Sequence, residues 1–264
     1  MAEILKKIVE QKRAELTRAQ SACPLETLRE VVEPAVRDFR AALTGGREEK
    51  LPRLIAEIKR QSPSKKAIRT DLVVGEIVKI YSEHAAAISI LTDYEFFGGS
   101  LEDLEEANFA TTIPLLRKDF VIDEYQIYEA RQFGADAVLL IARILEEEKL
   151  AELLLTAQKL GMAALVEIHD EADLVKVLNT PAEIIGVNSR NLDTLAIELA
   201  NFEQLLPQIP REKIIVAESG LATRAELENL SGRVDAVLIG TALLQAEKIE
   251  RKLLELTEPH EDEN

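Results

Sequence analysis

Ile55-Ala56-Glu57-Ile58-Lys59-Arg60-Gln61-Ser62-Pro63-Ser64 is a short apolar strand that ends in an acid and a base and then turns. Side chains alternate along a strand, so Glu57 and Lys59 leave the same face as Ile55. A register that buries Ile55 therefore carries both charges to the end of the core face. Buried charges are costly unless they pair or take part in chemistry. A solvated strand end with a surface ion pair is the bland reading of this run taken alone.

The same construction recurs. Ile113-Pro114-Leu115-Leu116-Arg117-Lys118 ends in Lys118, Met162-Ala163-Ala164-Leu165-Val166-Glu167 in Glu167, and Ile184-Ile185-Gly186-Val187-Asn188-Ser189-Arg190 in Asn188 and Arg190. Ile214-Ile215-Val216-Ala217-Glu218-Ser219-Gly220 ends in Glu218, and Val234 to Thr241 closes on Gly240-Thr241. With the polar group always at the C-terminal end, these runs point to one shared rim. Strands are expected at 53–58, 86–91, 113–117, 136–141, 163–167, 184–188, 213–217 and 235–239. Helical patterns alternate with them at 74–84, 100–108, 123–133, 145–160, 170–179, 201–206, 222–230 and 242–256. The strands are almost continuously apolar, as parallel strands covered on both faces are. Eight such units read as a (β/α)₈ TIM barrel of the α/β class. A doubly wound open sheet is the alternative, but no Gly-x-Gly-x-x-Gly turn follows the first strand. Gly134–Ile141 also echoes Arg233–Gly240, four units later.

Before residue 53 there is only helix. Residues 3–20 carry an apolar stripe of Ile4, Leu5, Ile8, Val9 and Leu16, followed by shorter helical patterns at 25–32 and 36–43, the second closed by Gly45-Gly46. The division expected is a helical extension at 1–46 packed on the barrel, a catalytic barrel at 47–257, and a disordered acidic tail at 258–264.

The chain has 264 residues, is 47% hydrophobic and carries a formal charge of −16. That balance argues against nucleic acid or an anionic membrane as partner, though a local cluster can still hold a phosphorylated small molecule. Cys23 is the single cysteine, which excludes an intrachain disulfide and suits a reducing compartment. No apolar run approaches the ~20 residues of a membrane span, and the N-terminus lacks a signal-peptide core. A cytoplasmic protein is expected.

On a barrel, the rim would gather Glu57, Lys59, Lys118, Glu167, Asn188, Arg190 and Glu218 on the face where active sites of this fold lie. Lysines and carboxylates sharing one cup shift each other's proton affinities and can divide acid and base roles. A structural ion-pair belt is the competing reading. Ser219-Gly220 and Gly240-Thr241 lead from the last two strands into helical patterns, a common arrangement for phosphate. Phe96, Phe97 and Phe120 stand just past strand ends in a chain with 4% aromatics, suiting the wall of a planar ring's pocket. His84, His169 and His260 are not at metal-ligand spacing, so no zinc site is expected.

These motifs together resemble the indole-3-glycerol-phosphate synthase family. They are Ile-Ala-Glu-Ile-Lys-Arg-Gln-Ser-Pro-Ser at 55–64, Ala-Ile-Ser-Ile-Leu-Thr-Asp at 87–93, Phe-Phe-Gly-Gly-Ser at 96–100, Arg-Lys-Asp-Phe at 117–120, Asn-Ser-Arg-Asn-Leu at 188–192 and Ala-Glu-Ser-Gly at 217–220. The resemblance runs from the N-terminal helix to about residue 256. It implies a barrel with an N-terminal helical extension and a lyase of tryptophan biosynthesis. The reaction implied closes an indole ring from 1-(2-carboxyphenylamino)-1-deoxyribulose 5-phosphate with loss of CO2 and water, with no cofactor, no metal and no obligate protein partner. By the same resemblance Lys118 is the general acid of ring closure and Glu167 an acid/base. Lys59 and Glu57 serve dehydration and hold substrate, and Asn188 and Glu218 support them. Arg190 meets the substrate carboxylate. Pro63, Phe97, Phe120 and Leu139 hold the aromatic ring, and Ser62, Ser219, Gly220, Gly240 and Thr241 the phosphate. Two departures stand out: Thr241 replaces a common Ser, and Asn191 replaces a common Asp beside Arg190. A silent scaffold barrel and a phosphosugar isomerase are the competing functions. The number of charges placed on the rim weighs against both.

Overall fold

Eight parallel strands pair in chain order and close into a barrel: β1 Arg53–Ile58, β2 Ala87–Leu91, β3 Leu115–Lys118, β4 Ala137–Ile141, β5 Ala163–Ile168, β6 Ile184–Asn188, β7 Ile214–Glu218 and β8 Ala236–Ile239. The computed structural model describes residues 3–63, 67–191 and 196–258. Ser64, Leu192 and residues 259–264 of the acidic tail lie outside the described residues.

The alternation inferred from the sequence sets the interior. Ile55, Leu116, Leu139, Leu165, Ile184, Val216 and Leu238 form one buried cluster inside the barrel. The opposite parity, including Leu54, Ala56, Ile58, Ile88, Leu140, Val166 and Ile185, packs outward under the helices. Two residues past the interior layer, the same face carries Glu57, Lys118, Glu167 and Glu218, which is how an apolar core delivers charge to one rim.

Thirteen α-helices are described: α1 Glu3–Ala22, α2 Leu25–Val31, α3 Phe39–Leu43, α4 Val74–Ser82, α5 Tyr94–Phe97, α6 Leu101–Ala110, α7 Glu124–Gln132, α8 Glu147–Lys159, α9 Glu171–Leu178, α10 Leu199–Leu205, α11 Arg224–Leu230, α12 Thr241–Leu244 and α13 Ile249–Thr257. Two differ from the pattern in the sequence. The single helix expected at 242–256 is split, because Leu243 and Leu244 are five or six residues from Ile249, out of phase for one helical stripe. The stretch holding Phe96 and Phe97 is a helical turn rather than a loop. Asp93 caps it by accepting from Phe96 N at 2.7 Å and Phe97 N at 3.2 Å, and Gly98 ends it at φ +67°.

The internal echo has a physical counterpart. Asp136 and Asp235, just before β4 and β8, each accept a backbone N–H near the start of the preceding strand, Leu115 at 2.9 Å and Ile215 at 2.8 Å. Each also pairs at 2.6 Å with an arginine from the N-terminal segment, Arg37 and Arg47. The segment before β1 is thereby pinned to the base of both half-barrels. Among the described residues, no helix is long and apolar enough to cross a membrane.

Candidate active site

A cavity of about 480 Å³ opens at the C-terminal end of the strands. Its floor holds the charged groups. Lys118 Nζ lies 2.9 Å from Glu218 Oε2 and 3.2 Å from Glu167 Oε2. Lys59 Nζ pairs with Glu57 Oε1 on the neighbouring side. Asn188, at the end of β6, hydrogen bonds with Glu167 and accepts the backbone N–H of Arg190 at 3.0 Å. The apolar wall comes from Pro63, Leu139, Phe97 and Phe120. The two phenyl rings lie 6.0 Å apart and tilted by 40°, a spacing that presents an edge and a face to a flat guest. Ser62, Arg190, Ser219, Gly220, Gly240 and Thr241 complete the lining. The structure thus brings all sixteen residues assigned by the family resemblance onto the wall of one cavity, whereas Phe96, expected beside Phe97 and Phe120, is not part of its lining.

Small residues make the floor possible. A Cβ at Gly186 would sit 2.1 Å from Glu218 Oε1, so Glu218 fits only because β6 offers bare backbone there. A Cβ at Gly240 would sit 2.6 Å from Glu57 Oε1. Gly240, expected to leave room for phosphate, therefore also makes room for an acid.

Electrostatics divide the carboxylates. Burial alone would raise Glu167, but the Lys118 ammonium, with a smaller pull from His169 when that ring is protonated, holds it below the usual carboxylate range. Burial pushes Glu218 up to about 8; Lys118 opposes the rise and the neighbouring Glu167 adds to it. Burial would lower Lys118, but Glu218, Glu167 and Glu57 together hold it above the normal lysine value. Two carboxyls sharing one ammonium are thus pushed apart, one ionised and one inclined to keep a proton.

The phosphate-like turns differ in kind. The helix expected from Ala222 begins at Arg224. Its start is closed by a capping box: Thr223 Oγ1 accepts from Glu226 N at 3.4 Å, and Glu226 Oε2 accepts from the preceding Ala222 and Thr223 N–H groups at 2.8 Å each. Any anion at β7 therefore meets the left-handed turn of Ser219 (φ +70°) and Gly220 (φ +83°) rather than a free helix end. At β8, α12 begins directly at Thr241. Beside Arg190, the Asn191 side chain donates to Glu198 Oε1 at 2.9 Å. An aspartate there would face Glu198 with like charge, so the amide has its own local partner.

Three features escaped the sequence reading. Ile4, Leu5 and Ile8 of α1 line the cavity, so the extension supplies part of its wall. Lys12, also on α1, is 4% exposed and pairs at 2.9 Å each with Glu15, Asp93 and Asp119. Its signal was legible, because residue 12 falls in the apolar stripe between Ile8 and Leu16, where a charge needs a partner. His169 stands beside Glu167 and attracted notice in the sequence only as an unsuitable metal ligand.

The family model described as indole-3-glycerol phosphate synthase matches residues 5–256. The chain belongs to the indole-3-glycerol phosphate synthase family. Family members are decarboxylating, ring-closing lyases of tryptophan biosynthesis. Curated relatives of that name include one from Polaromonas sp., 43% identical over 94% of this chain and 95% of its own length. Another, from Burkholderia vietnamiensis, is 41% identical over 94% and 96%. Solved structures share the barrel at much lower identity. A 3-hexulose-6-phosphate synthase from Salmonella typhimurium aligns with TM-score 0.61 and 12% identity over 77% of this chain and 96% of its own. A chain of the tryptophan synthase complex from Pyrococcus furiosus aligns with TM-score 0.59 and 14% identity over 77% and 97%. These two likenesses speak for the fold alone.

Proposed function

We propose that the chain closes the indole ring of 1-(2-carboxyphenylamino)-1-deoxyribulose 5-phosphate in this cavity, releasing CO2 and water, as a cytoplasmic enzyme without an obligate protein partner. The observation that carries the reading is Lys118, a buried ammonium between Glu167 and Glu218 on the floor of a cavity with a phenyl-lined wall. The barrel from 47 to 257 carries the chemistry, and the extension from 1 to 46 closes one side of the site.

Ring closure joins the aryl carbon bearing the carboxylate to the ketone carbon of the sugar chain. Negative charge develops on the ketone oxygen as that bond forms. Lys118, kept protonated by its carboxylates, stabilises this charge and passes on its proton. Loss of CO2 then returns the bonding pair to the ring. Departure of the new hydroxyl as water needs an acid at that oxygen and a base for the ring proton. Lys59, held by Glu57, is assigned the acid and Glu167 the base. Asn188 and Glu218 keep Glu167 and Lys118 in place. Arg190 is assigned the substrate carboxylate, Pro63, Phe97, Phe120 and Leu139 the aromatic ring, and Ser62, Ser219, Gly220, Gly240 and Thr241 the phosphate.

The test is turnover of this substrate, followed by indole fluorescence and product mass. The expected product is lighter by one CO2 and one H2O. A product of unchanged mass would mean isomerisation, and no turnover by a folded protein would favour the scaffold reading.

A further inference from the structure

His169 follows Glu167 by two residues, one past the end of β5, and its ring lies beside the Glu167 carboxylate. The imidazole is 3% exposed, and its Nε2 lies 3.2 Å from Glu167 Oε1. The approach is close but off-line, and neither ring nitrogen has a hydrogen bond within the protein. A buried imidazole with both nitrogens unspent, in van der Waals reach of a carboxylate that the reaction uses, is not explained by packing alone.

The surroundings limit what the ring can do. From α9, Asp173 Oδ2 stands 3.9 Å from Nδ1, but that oxygen already accepts the His169 backbone N–H at 3.0 Å. Arg143, from the turn after β4, lies 3.4 Å from the same aspartate and also pairs with Asp170. Lys118 lies on the far side of Glu167. The Asn201 side chain from α10 holds the His169 carbonyl and fixes the backbone. Glu167 Oε1 is the nearest acceptor to the ring, and Asn188 also hydrogen bonds with the Glu167 carboxylate. Glu167 Oε2 is already taken by Lys118.

We propose that His169 is a positioning residue for ring closure, its Nε2–H bonding Glu167 Oε1 once substrate draws on the carboxylate. The inference rests on the assignment of Glu167 as an acid/base. Catalytic hydrogen bonds are often misaligned in the free protein and tighten only with substrate bound. Burial, with Arg143, pushes the imidazole pKa below its usual value although Glu167 opposes it, so the ring acts as a neutral donor. Such a donor steadies the ionised form of Glu167 without adding a second charge beside Lys118.

The experiment compares His169→Leu with His169→Gln, whose amide N–H reaches near the position of Nε2. Both kcat and KM are measured from about pH 3 to pH 9 by indole fluorescence, with buffer-jump assays at the acid end. A lost hydrogen bond to a charged group predicts a fall in kcat of roughly 10-fold or more for His169→Leu. KM should change little, and the acid limb of the kcat profile should move to higher pH because Glu167 binds its proton more readily. His169→Gln should recover most of both. If His169→Leu does not fold, His169→Asn takes its place, since its amide is one bond too short. A parental kcat and acid limb for His169→Leu would overturn the inference, leaving His169 as packing. Recovery no better than Leu in His169→Gln would overturn it too, because a titrating ring would then be needed. Glu167→Gln run alongside separates the two levels: if it keeps parental kcat, the assignment of Glu167 fails first.

Discussion

Lys118 and Lys12 are both buried lysines at the same end of the barrel, each within 3.2 Å of two or more carboxylates. They do different work. Lys12 comes from α1, its side chain is 5% exposed, and it is enclosed between the helix and the loops after β2 and β3. Its partners already have structural tasks. Asp93 caps α5, and Asp119 binds Thr92, Arg117 and the Phe120 N–H. Arg117 supplies a second positive charge to Asp119 and pairs also with Glu129, so the carboxylates here are shared between two fixed cations. Burial would raise Asp119, but Arg117 and then Lys12 hold it far below the usual carboxylate range. Lys118 is 14% exposed on the cavity wall, and of its two carboxyl partners one is ionised and the other is inclined to keep a proton. Glu218 Oε1 is left without a hydrogen bond. A buried ion pair therefore does not by itself mark an active site. What separates the two clusters is that Lys118 faces the open cavity while Lys12 is enclosed.

The comparison breaks most sharply by exchanging the two losses. Lys118→Ala should lower kcat by ~10²–10⁴ while Tm stays near parental, because a general acid is removed from a half-open wall. Lys12→Met should do the reverse. It leaves buried aspartates uncompensated, a change that costs about 3–5 kcal/mol of stability. Its kcat should stay within a few-fold of parental, with KM rising as Phe97 and Phe120 lose their anchored loops. Thermal melts and steady-state kinetics on both variants decide it. A Lys12 variant with full stability but lost kcat would mean that the two clusters had been assigned the wrong way round.

A smaller effect sharpens the same contrast through pH. Folding raises the Glu218 pKa to about 8, from the usual carboxylate range. Between those values the folded protein keeps a proton that the unfolded chain has released. Stability held below the lower value is therefore lost as pH rises through about 8. Glu218→Gln cannot make this exchange. The parent should lose Tm relative to Glu218→Gln between about pH 5 and pH 9, whatever their offset at one pH. Parallel Tm curves would show that Glu218 is ionised throughout and that the Lys118 cluster is not proton-linked.

The sequence was most legible where one physical rule acted alone. Alternation along buried strands placed Glu57, Lys118, Glu167 and Glu218 on one rim, because inward parity is the same in every strand. Boundaries held wherever apolar runs ended abruptly. The reading was weaker where two elements distant in sequence meet. Nothing local in the sequence says that Ile4 and Ile8 line the cavity, or that Asp93 and Asp119 receive Lys12 from a helix at the far N-terminal end of the chain. The split between α12 and α13 could have been read from the phase break after Leu244. The capped start of α11 could also have been read, from Thr223 and Glu226 at capping-box spacing. Glycine roles were the least legible, since Gly186 and Gly240 serve the carboxylates of other strands.

The phosphate seat is a third type of site beside the two lysine clusters, and it calls for the smallest effect. The ends of β7 and β8 give the cavity wall Ser219, Gly220, Gly240 and Thr241, and no lysine or arginine among the described residues. Binding there must come from backbone N–H groups and hydroxyls. Gly240 is a poor place to test this, because a side chain there would strike Glu57 before reaching any ligand. Thr241→Ala is cleaner: it keeps the backbone N–H at the start of α12 and removes one hydroxyl. Loss of one hydrogen bond of ordinary worth predicts a rise in KM of roughly 3- to 10-fold, with kcat nearly unchanged. Thr241→Ser keeps the hydroxyl and should behave as the parent does. Binding of the dephosphorylated substrate analogue should be the same in parent and Thr241→Ala. Equal weakening for both ligands would show that Thr241 supports the mouth of the barrel generally, and the phosphate would have to be sought nearer Lys59.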